Sequence, residues 1–229
     1  MRIAIITARG GSKRIPRKNI KLFCGKPVIQ YSIEAAIESA VFDKVMVSTD
    51  DFEIAEISKK YGAEVPFMRS NKTADDYATT ADVLFEVLSE YEKRGYTVEQ
   101  FCCIYPTAPF ITAEKLRKGM DLLKENKVDS VIPVVKYSFP PQRSFVVKEG
   151  ILRMTSPEFV NTRSQDLEAV YHDCGQFYCV NTESFKKQKK VYMEKSLPFI
   201  FPETEVQDID DETDWKIAEM KYELMISRG

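Results

Sequence analysis

The strongest constraint on this chain is a rhythm. Short runs rich in β-branched residues alternate with segments of helical periodicity. Arg2–Thr7 (RIAIIT), Lys44–Thr49 (KVMVST), Gln100–Tyr105 (QFCCIY) and Val128–Val135 (VDSVIPVV) read as strands. Near-continuous apolar runs of this length suit strands covered on both faces. Ala63–Met68 reads as a further short strand. Between them, Ile29, Ile33, Ala36 and Ala40 recur at helical spacing after Pro27. Ile54, Ile57 and Tyr61 follow Asp50 and Asp51, and Gly62 supplies a left-handed stop. Thr79–Tyr91 carries Ala81, Leu84, Leu88 and Tyr91 on one stripe. Thr112 reads as the N-cap of a helix through Leu116, Met120 and Leu123. Lys115, rather than Glu, stands at its third position, so a full capping box is absent. The alternation predicts an α/β fold: three layers, with helices on both faces of a mostly parallel, Rossmann-like sheet. A chain of 229 residues suffices for one such domain.

The rhythm breaks after Val135. The stretch 136–170 contains prolines, charges and short extended runs such as Phe145–Val147, and reads as an antiparallel flap or an oligomer arm. Gln176–Val180 (QFYCV) reads as a strand returning to the sheet. The acidic run Gln207–Asp214 then leads into a helix with Trp215, Ala218, Tyr222 and Met225 on one face. One domain over 1–229 with an inserted excursion is the economical reading.

Composition removes several classes. Lys and Arg number 33 against 35 Asp and Glu, a net charge of −2. There is no polybasic field for nucleic acid, and no run approaches the ~18–20 apolar residues that cross a bilayer. The apolar run at the N-terminus is too brief for a signal-peptide core, so a cytoplasmic protein is expected. Five cysteines without CxxC spacing and a single histidine, His172, read as reduced thiols and no zinc site.

Charge matters locally instead. In open parallel sheets ligands sit beyond the carboxyl ends of strands. The loop after the first strand, Ala8–Asn19, reads ARGGSKRIPRKN. It has neither GxGxxG nor GxxxxGK[ST], so neither a dinucleotide fingerprint nor a P-loop is supported. Gly10 and Gly11 let backbone N–H groups approach an anion. Five cationic side chains fall within the ten residues from Arg9 to Lys18, a concentration that suits a triphosphate. By composition alone a solvated basic loop is an equal reading; the position after the first strand favours the phosphate.

This loop resembles the signature of the CMP-sialic acid synthetase-like cytidylyltransferases, over twelve contiguous residues. The resemblance continues through DKVMVSTDD (43–51), Arg69, YPTAP (105–109) and QDID (207–210). Within the family, YPTAP, FPPQR, RSQDLE and YHDCGQFY resemble the branch acting on pseudaminic acid. The sialic acid branch usually has Gln where Tyr105 stands and an Arg-Pro-Asn-Gly type sequence around 171–176. The resemblance implies a sheet of the nucleotide-diphospho-sugar transferase type. It also implies a reaction of CTP with a nonulosonic sugar acid that gives the CMP-sugar and pyrophosphate, and a homodimer.

It implies site residues as well. Ala8, Arg9, Gly10, Gly11, Ser12, Lys13, Lys18, Asn19 and Arg69 would meet the nucleotide, with Arg14 among the cations near the leaving pyrophosphate. Asp208 and Asp210 share one side of an extended segment and would hold Mg²⁺, while Asp211 belongs to the helix cap. Arg9, Lys18 and Asp208 would carry catalysis. Tyr105, Arg143, Arg163, His172 and Gln176 would face the sugar acid, with an arginine on its carboxylate. The alternatives are a sialic, legionaminic or 3-deoxy-octulosonic acid enzyme, or a non-catalytic nucleotide binder on the same fold.

Overall fold

A computed structural model describes residues 1–75 and 77–227. In chain order its elements are β1 (Arg2–Thr7), β2 (Leu22–Phe23), β3 (Lys26–Pro27), α1 (Val28–Ser39), β4 (Lys44–Ser48) and α2 (Phe52–Lys60). Next come α3 (Asn71–Ala74), α4 (Thr80–Lys93), β5 (Gln100–Ile104), α5 (Ala113–Glu125) and β6 (Ser130–Lys136). The chain continues with β7 (Phe145–Lys148), β8 (Ile151–Met154), β9 (Tyr171–Asp173), β10 (Phe177–Asn181), α6 (Thr182–Gln188), β11 (Ser196–Phe201) and α7 (Glu212–Ile226). The main sheet runs β11-β6-β10-β5-β1-β4, and β9 pairs with β6 beside β10. β1 is parallel to β4 and β5, and β6 to β11; β10 alone on this path runs against its neighbours.

The apolar alternation along β1 explains the layers. Ala4 and Ile6 face one core with Ile29 and Ile33 of α1 and Leu116 and Met120 of α5. Ile3 and Ile5 face the other with Leu84, Val87, Leu88 and Tyr91 of α4. A strand buried on both faces has no polar side to offer water, so helices must cover both. A third cluster docks the C-terminal helix. The ring of Phe23 meets those of Tyr31, Trp215 and Tyr222 edge on, each with centroids 5.6 Å apart.

Local signals account for most boundaries. Asp51 caps α2 by accepting from Ile54 N at 3.0 Å, and Gly62 follows the helix with φ +92°. Thr112 caps α5 by accepting from Lys115 N. Asp211 caps α7 in a reciprocal box with Asp214.

Two expectations change. Ala63–Met68 is not a strand: Glu64 makes one parallel bridge to Met46, and Pro66 lacks the N–H to extend it. The strand expected from Val128 starts at Ser130, because Asp129 turns outward to accept from Ser184 Oγ and Gln188 Nε2. The excursion holds an antiparallel hairpin, β7–β8, with Val147 and Leu152 exposed. α6 and β11 carry no expectation from the sequence.

Gly119 of α5 sits hard against β10. A Cβ there would lie 2.9 Å from Cys179 Sγ and 2.9 Å from Phe177 Cε2. Gly119→Ala is therefore expected to destabilise the protein by about 1–3 kcal/mol through overpacking, read as a lower midpoint in urea at unchanged slope.

Candidate active site

The loop after β1 is built by acidic partners. Gly10 N donates to Asp50 Oδ1 at 2.9 Å, and a Cβ on Gly10 would fall 2.9 Å from Asp51 Oδ2. Only glycine lets the loop lie this close to the turn after β4. Arg17 adopts the left-handed conformation, φ 55°, which costs a non-glycine residue roughly 1–2 kcal/mol. It is held there by a forked contact to Asp51, with Nη2 3.0 Å from Oδ1, and by an ion pair to Glu53. The bond from Arg17 keeps the Asp51 carboxyl below its ordinary range. Asn19 is buried and donates Nδ2 to Arg9 O at 2.8 Å, closing the loop on itself.

This loop forms one wall of a cavity of about 530 Å³ at the carboxyl ends of β1 and β5. Of the residues singled out above, Arg9, Ser12, Lys13, Arg14, Lys18, Asn19, Arg69 and Tyr105 line it. Ala8 is fully buried, with its N–H on Ser48 O at 3.0 Å, so it shapes the loop from behind. Gly11 is exposed, with open space where a Cβ would stand. Arg69 is buried: Nη2 donates to Ser48 O at 2.6 Å and Nε to Ser48 Oγ at 3.1 Å. Burial lowers its pKa, opposed by the charges of Asp50 and Glu86. Sequence reasoning missed Thr7, Thr73, Thr80 and Thr107, hydroxyl residues of the lining. Thr7 and Thr107 carried a readable signal, lying at or just past a strand's carboxyl end.

The acidic run meets the loop across nearly the whole chain. Lys18 Nζ donates to Ile209 O at 2.6 Å, and Arg14 pairs with Asp210 at 2.7 Å. Burial pushes the Lys18 ammonium down, opposed by Asp210 and Asp208. Burial, then the neighbouring charge of Asp210, pushes the Asp208 carboxyl up, opposed by Lys18. Among the described residues no three His, Cys, Asp or Glu side chains gather as a metal cage. Two carboxylates beside a phosphate-sized cavity could hold a cation that completes its shell with water and ligand oxygens.

The remaining residues divide. Asp208 and His172 share a smaller depression of about 230 Å³ with Lys136, Ser138 and Gln207. His172 Nδ1 lies 2.9 Å from Asp173 O, and its ring packs on Tyr137. Gln176 is buried and lines neither hollow; Nε2 donates to Cys174 O at 3.3 Å, while Oε1 has no partner. Arg143 and Arg163 stand exposed on the excursion, on Ser164 Oγ at 3.3 Å and Asp166 at 2.8 Å, away from both hollows.

The family model for cytidylyltransferases matches residues 3–200. The chain belongs to the cytidylyltransferase family. This cytidylyltransferase is therefore a nucleotidyltransferase. It is 37% identical over 223 residues to a pseudaminic acid cytidylyltransferase of Campylobacter jejuni, covering 97% of this chain and 96% of the relative. It is 32% identical over 231 residues to a CMP-N,N'-diacetyllegionaminic acid synthase of Legionella pneumophila, with coverage of 97% and 96%. A solved CMP:2-keto-3-deoxy-manno-octonic acid synthetase in complex with CTP superposes with a TM-score of 0.69 at 17% identity, covering 100% and 99%. That likeness establishes the nucleotide-diphospho-sugar transferase type of fold. Among the described residues no helix is long and apolar enough to cross a membrane.

The Arg17 fork generates a direct test on this cytidylyltransferase. Arg17→Gln is expected to speed amide exchange across residues 10–19 by about tenfold or more while β1 and β5 stay protected. Unchanged exchange in the loop would show that Arg17 does not hold it.

Proposed function

We propose that the enzyme activates a nonulosonic sugar acid, pseudaminic acid first, with CTP to give the CMP-sugar and pyrophosphate. The meeting of the Arg9–Lys18 loop with Asp208 and Asp210 at one sheet edge carries the reaction class. The likeness to the Campylobacter jejuni relative along both chains supports the sugar.

The anomeric oxygen of the sugar attacks the α-phosphorus, the bond from that phosphorus to the β-phosphate oxygen breaks, and pyrophosphate leaves. The hydroxyl proton passes to solvent. Catalysis of this step is positioning and charge stabilisation. Arg9, Lys13, Arg14 and Lys18 neutralise the triphosphate, with Ser12 and the Gly11 amide as further donors. The Gly10 amide is engaged by Asp50, so Gly10 contributes close backbone approach. Arg69 and Asn19 brace the nucleotide side. Asp208 and Asp210 would hold Mg²⁺: burial and the charge of Asp210 push the Asp208 carboxyl up even though Arg14 pairs with Asp210, which leaves negative charge for a cation to meet. When bound, the ion supplies positive charge to phosphate oxygens. Tyr105 and His172 belong to the sugar side, and Gln176 supports Tyr105 from behind through its carbonyl; Arg143 and Arg163, paired within the excursion away from both hollows, are not assigned to it. The excursion's exposed apolar hairpin supports a homodimer, and the reaction's soluble substrates support a cytoplasmic enzyme.

Pyrophosphate release with CTP, Mg²⁺ and a panel of pseudaminic, legionaminic, sialic and 3-deoxy-octulosonic acids tests the reading. Pseudaminic acid is expected to give the highest kcat/KM; binding of CTP without turnover of any acid would replace the enzyme with a nucleotide-binding protein. Asp208→Ala and Asp210→Ala are each expected to cut turnover by roughly 100-fold or more with the fold intact. Near-normal rates would sink the metal assignment. Sedimentation of the enzyme should give twice the chain mass, and Val147→Asp with Leu152→Asp should halve it; an unaltered dimer would clear the hairpin of that role.

A further inference from the structure

The bend between β9 and β10 is built around one carboxylate. β6 pairs antiparallel with β9 at Val134–Asp173 and with β10 at Val131–Cys179. Residues 174–176 therefore interrupt what would otherwise be one long return along β6. Asp173 Oδ2 accepts from Tyr178 Oη at 2.5 Å and from Tyr192 Oη at 2.6 Å. Its Oδ1 accepts from Gly175 N at 3.1 Å. A partly buried carboxylate is costly unless donors surround it, and bonds this short are of the charge-assisted kind. Burial, with the neighbouring Tyr105 phenol and the carboxylate itself, pushes Tyr178 well above the usual phenol range, so it remains a donor.

What this bend presents is Tyr105. The Tyr105 N–H donates to Gln176 O at 3.0 Å. Gly175, at φ +59°, lies under the ring, and a Cβ there would touch Cδ2 at 3.7 Å. The ring meets that of buried Tyr178 edge on, with centroids 5.6 Å apart. The Tyr105 hydroxyl pairs with Thr80 Oγ1 at 3.2 Å, and both residues line the larger cavity. The backbone, ring face and ring edge of Tyr105 are thus all set by the segment that Asp173 ties together. His172, one residue earlier, faces the smaller hollow beside Asp208.

The geometry points to Asp173 as a positioning residue that, through Tyr178 and Gly175, sets the Tyr105 ring for the sugar acid. This rests on the reading that Tyr105 meets that substrate. A purely structural role for the same bonds makes a different prediction, because it costs stability without selecting between the two substrates.

Asp173→Asn keeps the size but cannot accept from all three donors, and Tyr178→Phe removes one donor alone. Both are expected to lower kcat/KM for the nonulosonic acid that the wild type uses best by roughly 10- to 100-fold, mainly through KM, with KM for CTP unchanged. Val98→Ala serves as the stability control: Val98 is buried just ahead of β5, at the opposite sheet edge. It should lower Tm with both KM values unchanged. Asp173→Asn and Tyr178→Phe behaving like Val98→Ala would overturn the proposal. Amide exchange at Tyr105 and Gly175, measured without substrates, should rise in Asp173→Asn and not in Val98→Ala; equal protection would also overturn it. A wild type that turns over no acid would refute the substrate reading, and the exchange result would then decide the hold on Tyr105 by itself.

Discussion

The site depends on compensating a concentrated positive loop. Arg9, Lys13, Arg14, Arg17 and Lys18 lie within ten residues, and like charges so close would drive the segment into solvent. Two acidic groups from different parts of the fold prevent this. From the turn after β4, Asp50 takes the Gly10 amide while Asp51 and Glu53 take Arg17. From the approach to α7, Asp210 takes Arg14, and the carbonyl of Ile209 takes Lys18. Exposed ion pairs are individually worth little. Their effect here is geometric: they commit Arg17 to the loop's framework and leave Arg9, Lys13 and Lys18 along the cavity wall.

The same compensation explains why the C-terminal helix belongs to the site. α7 is docked by Trp215 and Ala218 against Phe23, beside the short β2–β3 ribbon that follows the loop. Lys21 reaches Glu212 at 2.6 Å and lies over the Trp215 ring. Apolar docking of the helix therefore places the aspartates that precede it. Asp208, beside Asp210, carries the electrostatic cost of that placement.

Much of the fold was legible because β1, β4 and β5 are buried on both faces and announce themselves as β-branched runs. What failed did so for local reasons. Ser196–Phe201 (SLPFIF) contains Pro198 and lies at the sheet edge, so neither alternation nor an unbroken run marks β11. Thr182–Gln188 is too short to show a periodicity, and Asn181 as its cap is an ordinary turn residue until Ser184 N is seen to donate to it. In the site, the cluster of cations was visible but not its division of labour, because Arg17 finds its partners 34 and 36 residues away. Arg143 and Arg163 were named from pattern; their present partners are within the excursion, Ser164 and Asp166. Asp173 was visible only as one letter of the YHDCGQFY run, since its meaning depends on Tyr178 within β10 and Tyr192 beyond α6 converging on it.

Strand polarity explains why the excursion leaves and rejoins the sheet at the edge that carries this site. Parallel strands deliver their carboxyl ends to one edge, where the β1, β4 and β5 loops meet. β6 points the same way and leaves the sheet at that edge, launching residues 137–170 there. A parallel return would have carried the chain to the far edge before re-entry. β9 and β10 instead run antiparallel to β6, so the chain re-enters where it left. The amino end of the reversed strand thus lies beside the carboxyl ends of its neighbours, which places Gly175, Gln176 and Tyr178 against Tyr105. Two reversed strands in a mostly parallel sheet back Tyr105 with a segment separate in sequence from the basic loop. The excursion can then vary in length and chemistry without disturbing the loop that Asp50 and Asp51 hold.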